Sequence, residues 1–579
     1  MKTVQGLKLV LGYLGIFLIL IGFATALPLV FCFYEGEWAC WLDFLIPAGV
    51  DIVLGLILYF AFIFRRKRGV FVHYQDSALL VLVWVAGILS QATPFFLPQF
   101  FGQGMEMSLT ESIFETASGL STTGLTIYRH YIDSYQAFCP HVYAFHRSIT
   151  QFIGGVGFVL LLTSILGASS SMALFQTEGH NDRIIANLSK NAKIIFGIYI
   201  GYASIGTLAL YLSGMPLFDA MCTSMCSVSG GGMSTRSSNI AFFRAYDGQV
   251  LPVSMSGVFG GNNYTYVSDV VPSLMKVNSL AIEAIVCVLV IFSAISFLLH
   301  TFFLTGKWKK FFKDDEIRFA ISNFFLAFAI SLFGALILVG QAHEGNMLYG
   351  ARETLRRVAF FTIGAATNSG FSNAGLGDML ALGRPYFYCA IMLMLIGGGA
   401  GSCAGAIKQY RVVIMLKELW HSIIHRFAPS RFRYPKRIYR YGREVELNRE
   451  TVHEAWTYAL LFILLFILSN AVLAFAPGWS DGYNLVTIET NAFNIASAMS
   501  NTGLSSFDFL GYKAHLAEQG NNWAYNFYLW TLIFDMMLGR LEIMPFVYAI
   551  GNAKAEVVSL RNGRRQRRRA RQLNSLEGQ

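Results

Sequence analysis

Apolar residues in this chain run in long blocks, and the blocks alternate with much shorter apolar segments. Stretches near 7–33, 44–64, 76–98, 143–167, 191–213, 279–304, 317–340, 385–411, 455–476 and 524–553 each predict a spanning helix, since ~20 mostly apolar residues cross the hydrocarbon. The last is the least apolar, carrying Asp535, Arg540 and Glu542. Four segments are too short to cross: "TESIFETASGL" (110–120), "PLFDAMCTSMCSVS" (216–229), "TLRRVAFFTIGAAT" (354–367) and "VTIETNAFNIASAMS" (486–500). Each runs into a small polar loop, glycine then an apolar residue then Ser or Thr, centred on Gly124, Gly232, Gly370 and Gly503. The repeating unit is span, half-helix, loop, span. Four units use eight of the spans and two more precede them. The glycines lie 108, 138 and 133 residues apart, which fits duplication of a whole unit and not a solenoid, whose period is ~20–50 residues.

A single such loop would be an ordinary turn or a small-residue packing contact. Four of them, each after a half-length segment, call for a physical reason. Backbone outside a helix is tolerated at membrane depth only where it is buried in protein or lines a watery cavity. A half-helix that stops there directs unsatisfied C=O groups and its negative dipole end inward, which favours a cation. Glycine admits the positive φ that turns successive carbonyls to one side. Four such loops around one axis would stack rings of carbonyl oxygens, the arrangement that replaces the hydration shell of K⁺. A divalent ion would normally recruit carboxylates, and the loop cores contain none.

Composition supports a lipid-embedded chain. Of 579 residues, 55% are hydrophobic and 13% charged, against about 25% charged in soluble domains, and the mean hydropathy is +0.50. The net charge of +10 is concentrated in "RRKR" (65–68), "KWKKFFK" (307–313), "RFRYPKRIYRYGR" (431–443) and "RRQRRRAR" (564–571). With ten spans these runs all fall on one side together with both termini. The opposite loops, such as "EGEWACWLD" (35–43) and "APGWSDGYN" (476–484), are acidic or neutral. That asymmetry predicts cytoplasmic termini. It also accounts for the basic runs without nucleic acid, and the 564–571 tail is suited to anionic lipid. Lys2 and Lys8 before an apolar run ending in "ATA" (24–26) resemble a signal peptide, but the run continues past Val30, which favours a retained span. The eight Cys include no C-x-x-C pair. Cys222 and Cys226 read as small buried residues, while Cys32, Cys40 and Cys139 leave a disulfide open.

The motifs "ETASGLSTTGLT" (115–126), "QFIGGVGF" (151–158), "IGGGAGSCAGAIK" (396–408) and "MLGRLEI" (537–543) resemble the Trk/Ktr/HKT superfamily of potassium transporters. The closest likeness is to the Trk-type uptake membrane subunit, over nearly the whole chain. The resemblance implies an all-α polytopic membrane protein with two N-terminal spans and four membrane-pore-membrane repeats around a pseudo-fourfold pore. On this sequence the parts would be 1–70 (two N-terminal helices), 71–180, 181–310, 311–430 and 431–558 (repeats one to four) and 559–579 (basic cytoplasmic tail). It implies a K⁺ filter at Thr122, Thr123 and Gly124; Gly230, Gly231 and Gly232; Asn368, Ser369 and Gly370; and Asn501, Thr502 and Gly503. In repeat two the adjacent glycines leave the register open by one residue. In plant members a serine at the position matching Gly124 accompanies Na⁺ permeation. The resemblance further implies K⁺ (and its analogue Rb⁺) as transported ion, no cofactor, a homodimer, a cytoplasmic RCK-type nucleotide-binding regulatory subunit, and the cytoplasmic (inner) membrane.

Two internal features suggest a gate. Gly397, Gly398, Gly399, Gly401 and Gly405 crowd a predicted span that closes on Lys408. Glycine costs a helix roughly 1 kcal/mol relative to alanine, so the segment reads either as a tight packing stripe or as a broken helix. Relatives carry a flexible obstructing loop there. Arg540 is a charge within a span, which faces a cavity or partner or else snorkels to the surface; in the family the matching arginine faces the pore just inside the filter. A multispan membrane enzyme, such as a lipid-linked transferase, and a membrane scaffold are the competing classes. The chain shows no H-E-x-x-H, no P-loop and no suitably placed G-x-S-x-G, and "KDDE" (313–316) reads as a solvated linker. The role of loop 236–278 and any coupling to H⁺ or Na⁺ are not legible.

Overall fold

The computed structural model describes residues 3–4, 6–34, 37–68, 75–98, 107–128, 141–157, 188–251, 254–259, 262–267, 275–341, 351–375, 382–427, 436–476, 480–481 and 484–547. Cys139, the 564–571 tail and the second half of the stretch 143–167 lie outside them. The protein is helical, with short hairpins between helices. Among the described residues, six helices are long and apolar enough to cross a membrane, in the ranges 7–33, 38–62, 75–96, 193–212, 315–337 and 449–473. The remaining predicted spans depart from straight apolar rods in informative ways. The stretch 279–304 is two helices, Ser279–Ser293 and Phe297–Leu304, bent by 117°. The stretch 385–411 is a helix Gly383–Ile396, an irregular segment, and a second helix beginning at Gln409. The helix Asn522–Leu541 has 20 residues but a mixed surface, because Tyr525, Tyr528 and Asp535 are buried inside the protein and need not match lipid.

The outside of this bundle is apolar. Phe333 is 69% exposed, Leu464 60% and Phe325 61%, which is stable only against hydrocarbon. Buried polar residues concentrate inside, on the short helices. The helices Leu7–Ala26 and Trp41–Phe62 pack closely because small residues face each other: a Cβ added to Gly55 would sit 2.6 Å from the Gly15 carbonyl oxygen. Cys32, Cys40, Cys222 and Cys226 are all buried. Among the described residues three antiparallel hairpins lie between helices, the shortest pairing Ser480–Asp481 with Asn484–Leu485. Ser254–Phe259 pairs with Asn262–Val267, within the loop 236–278. Arg437–Arg440 pairs with Arg443–Glu446; Asp315 and Asp314 tether it by accepting from the N–H groups of Tyr439 (2.8 Å) and Tyr441 (2.9 Å).

Four short helices occupy the centre: Leu109–Leu120, Leu217–Val228, Ala351–Thr367 and Ile488–Ser500. The first and last begin in capping boxes, Ser108 with Glu111 and Thr487 with Thr490, which satisfy orphan N–H groups on entry. In the first, Glu111 to Leu120 are all buried. A helix enclosed on every side takes its position from packing and not from amphipathicity.

Candidate functional site

The four short helices end in the same turn. The residue after each last turn takes a left-handed conformation: φ is 61° at Thr122, 71° at Gly230, 54° at Asn368 and 58° at Asn501. The next N–H then reaches back five residues, from Thr123 to Ser118 O, Gly231 to Cys226 O, Ser369 to Gly364 O and Thr502 to Ser497 O, at 2.8–3.0 Å. This is the Schellman ending of a helix. It aligns Gly230 with Thr122, Asn368 and Asn501, which fixes the register of the second loop. Asn and Gly suit the left-handed position, but Thr is β-branched, and such a residue pays about 1–2 kcal/mol there. The surroundings hold it, as strained positions require.

The turns bring the glycines to one place. A Cβ on Gly124 would lie 2.9 Å from the N of Gly232, and one on Gly232 would lie 2.6 Å from the carbonyl carbon of Gly370. A Cβ on Gly370 would strike the carbonyl oxygen of Thr502, and one on Gly503 that of Thr123. Each glycine thus abuts the next, and the fourth returns to the first. Two equivalent asparagines link neighbours. Asn368 Nδ2 donates to Met394 O and, at 2.8 Å, to Ser500 O of the next loop. Asn501 Nδ2 donates to Met536 O and, at 3.0 Å, to Thr123 Oγ1. Gln151 accounts for the glycine at 231: a Cβ there would fall on its amide, whose Oε1 accepts from Met233 N at 3.2 Å. Gly124, Gly232, Gly370 and Gly503 together floor a cavity of about 410 Å³, walled by Ser234, Asn239, Ser372 and Ser505.

On the other side of the ring lies the irregular segment. Helix Gly383–Ile396 stops at Gly397, and φ is positive at Gly397 (76°), Gly401 (72°), Ala406 (69°) and Lys408 (77°). The segment is anchored from several directions. Gly399 N donates to Ala294 O (2.8 Å) and Cys403 N to Ser293 O (3.2 Å), so it fits into the bend of the 279–304 stretch. Ala400 N donates to Glu316 Oε1 (2.5 Å), and Lys408 Nζ to Ala404 O (2.7 Å). It touches the ring directly, since a Cβ on Gly405 would lie 2.5 Å from Asn501 Oδ1. Arg540 does not snorkel. Its guanidinium donates to Cys403 O (2.5 Å), to Gly155 O (3.1 Å) and to Gly154 O. The glycine carbonyls belong to the last turn of His141–Val156, the negative end of that helix dipole. Asp535 turns away to Ser469 (2.7 Å), and Glu542 pairs with Arg411 (2.8 Å).

The comparisons with known proteins agree with this architecture. The sequence model of the TrkH family, described as a cation transport protein, matches residues 65–553. The chain belongs to the TrkH family. It is 27% identical to an uncharacterized cation transporter of Methanocaldococcus jannaschii over 94% of both chains. It is 25% identical to the Trk system potassium uptake protein TrkH of Halomonas elongata over 94% of this chain and 98% of the relative. The crystal structure of the potassium transporter TrkH from Vibrio parahaemolyticus superposes with a TM-score of 0.69 at 22% identity, covering 94% of this chain and 98% of that one. The chain is therefore an integral membrane protein with the TrkH transporter fold, in a family of transporters and not of enzymes.

Sequence reading missed the charges that brace the ring in this TrkH-family chain. Glu115, buried in the first short helix, accepts from Arg147 Nε (2.8 Å), Thr126 Oγ1 (3.0 Å) and Ile127 N (3.2 Å). Arg147 also donates to Ser234 O (2.9 Å), tying the first loop to the second. Arg236 pairs with Asp219 at 2.5 Å. Behind the fourth loop a neutral residue does the same work: Asn494 Oδ1 accepts from Ser506 N at 2.9 Å. The signal was present, since a charge in an apolar half-helix demands a partner; the partner's identity was not. Glu115→Ala strands Arg147 in the interior, where an unpaired buried charge costs about 3–5 kcal/mol. The expected outcome is a lower melting temperature in detergent and less folded protein than Glu115→Gln, which keeps hydrogen-bonding capacity; equal melting of both variants and wild type would contradict the brace.

Proposed function

We propose that this chain is a potassium-conducting uptake subunit in which the four glycine loops form the selectivity filter. The observation that carries the reading is the closed cycle of contacts from Gly124 to Gly232, Gly370, Gly503 and back to Thr123. Four turns of equal geometry around one axis present Thr123, Gly231, Ser369 and Thr502 as equivalent carbonyl donors to a dehydrated monovalent cation. The cavity above, lined by hydroxyls and an amide, is an entry vestibule where K⁺ sheds water. The TrkH of Halomonas elongata, a potassium uptake protein by name, supports K⁺ as the ion.

In this reading each of the four repeats (71–180, 181–310, 311–430 and 431–558) contributes one filter strand, and residues 1–70 brace the first. The segment from Gly397 to Gly405, with Lys408 and Arg540, is the gate. Three carbonyl bonds hold Arg540 across it, so opening requires that they exchange or break. The basic runs support cytoplasmic termini at the inner membrane of a cell, where a nucleotide-binding RCK-type subunit would act on the gate of a homodimer. The test is growth at limiting K⁺ of a host lacking its own uptake systems, with ⁸⁶Rb⁺ uptake as readout. The chain is expected to restore growth and uptake; membrane-inserted protein that restores neither would overturn the reading.

A further inference from the structure

Beside the gate segment lies a second cavity, of about 320 Å³, that conduction does not use. Its walls include Ile291, Phe311, Ile321 and Phe324, and it ends on Gly399 and Glu316. Ile291 and Ile321 are 40% and 43% exposed on the apolar outer surface, so the cavity opens towards hydrocarbon and not water. Lipid tails are as apolar as these side chains, so no hydrophobic force distinguishes the cavity from the bilayer. Filling it instead gains the dispersion contacts that a void forfeits.

Selection would have to come from a headgroup, and one flank supplies it. The short helix Trp308–Lys313 turns Phe311 and Phe312 into the cavity wall. Lys307, Lys309, Lys310 and Lys313 are exposed around it. Trp308, half exposed and packed at a tilt against Phe303 with ring centroids 4.9 Å apart, has the amphipathic character of an interface anchor. Aromatic rings inward and ammonium groups outward match a lipid with an apolar tail and an anionic head.

We infer that this cavity binds one acyl tail of an anionic phospholipid, with the headgroup on Lys307, Lys309, Lys310 and Lys313, and that occupancy adjusts the gate segment. Ala294 and Glu316, on the cavity walls, are the acceptors that hold Gly399 and Ala400. A tail that moves either wall moves the anchors of the segment. The adjustment rests on the proposed transport function; the binding does not.

Native mass spectrometry of the full chain, offered phosphatidylglycerol or phosphatidylcholine, tests the binding. Wild type is expected to retain a single phosphatidylglycerol in preference. Ala320→Trp, which fills the cavity, and a variant with all four lysines changed to Gln should each lose that preference. No preference in wild type, or an undiminished one in both variants, overturns the site. So does a Phe325→Cys variant that cross-links efficiently to a second copy, since that face would then be a subunit contact. Should Ala320→Trp fail to fold, the lysine variant carries the test. Flux is measured in parallel, in phosphatidylcholine liposomes with and without phosphatidylglycerol. A severalfold response in wild type and none in the lysine variant supports the adjustment; retention of lipid with an unresponsive flux overturns the adjustment alone.

Discussion

Gly124→Ser is expected to reduce discrimination of Rb⁺ over Na⁺ by at least ~10-fold, a change of about 1.4 kcal/mol in relative ion stabilisation. Two features act together. The φ of 94° at Gly124 is one that L side chains rarely adopt. The new Cβ would lie 2.9 Å from Gly232 N and 3.2 Å from its Cα, backbone atoms that cannot swing aside as a side-chain tip would. The loop has to shift, and its carbonyls shift with it. At Gly370 and Gly503 the Cβ meets a carbonyl oxygen of the adjacent loop, so Gly370→Ser and Gly503→Ser should cost more, up to loss of uptake. A control separates strain from position. Gly248 also has positive φ (75°) but nothing within 4 Å of its Cβ, so Gly248→Ser should lower stability and leave selectivity alone. Competition between ⁸⁶Rb⁺ and Na⁺ in reconstituted liposomes measures the ratio. Folded Gly124→Ser protein with the wild-type ratio would end the filter assignment.

Local pattern made much of this fold legible and left its joints obscure. The ten apolar blocks and four half-length segments mark where helices lie, because length and hydropathy are local properties. The glycine loops were visible because Gly124, Gly232, Gly370 and Gly503 recur at one place after each half-length segment; two residues earlier, at the Schellman position, Gly or Asn stands in three loops of four. Thr122 in the first carries no such signal, as its left-handed φ is imposed by neighbours. The 117° bend after Ser293 has no Pro or Gly at 294–296 to announce it. Its cause is distant: the segment 399–403 supplies partners that an unbroken helix could not meet, Gly399 N to Ala294 O and Cys403 N to Ser293 O. Pairing was equally hidden. Asp535 and Glu542 flank Arg540 in sequence, yet its ligands come from Gly154, Gly155 and Cys403, hundreds of positions or a whole repeat away. Gln151, the occupant of Gly231's side-chain space, opens the segment 151–158, and no local pattern pairs it with a position 80 residues on.

Arg540→Ala is expected to raise K⁺ flux per molecule by roughly ten- to thirtyfold when no partner protein is present. Part of the effect is Coulombic. Unit charges ~4 Å apart repel by about 4 kcal/mol at an effective dielectric near 20, and by about half that at twice the separation; about 2 kcal/mol corresponds to ~30-fold in rate. The rest is mechanical. The guanidinium joins Cys403 O in the irregular segment to Gly154 O and Gly155 O at the end of His141–Val156. Hydrogen bonds to a charged group contribute about 1.5–3 kcal/mol each, and alanine removes all of them, so the segment is freed as the charge is lost. Arg540→Lys separates the contributions. It keeps the positive charge but loses the planar fork that spans two elements, so flux should fall between wild type and alanine. A lysine variant matching alanine would assign the barrier to the tether, and one matching wild type would assign it to charge. Flux is measured on purified protein in liposomes and normalised to the protein reconstituted. Because the arginine is held on interior carbonyls, a purely surface role predicts no change. Equal flux for wild type and Arg540→Ala would remove Arg540 from the gate.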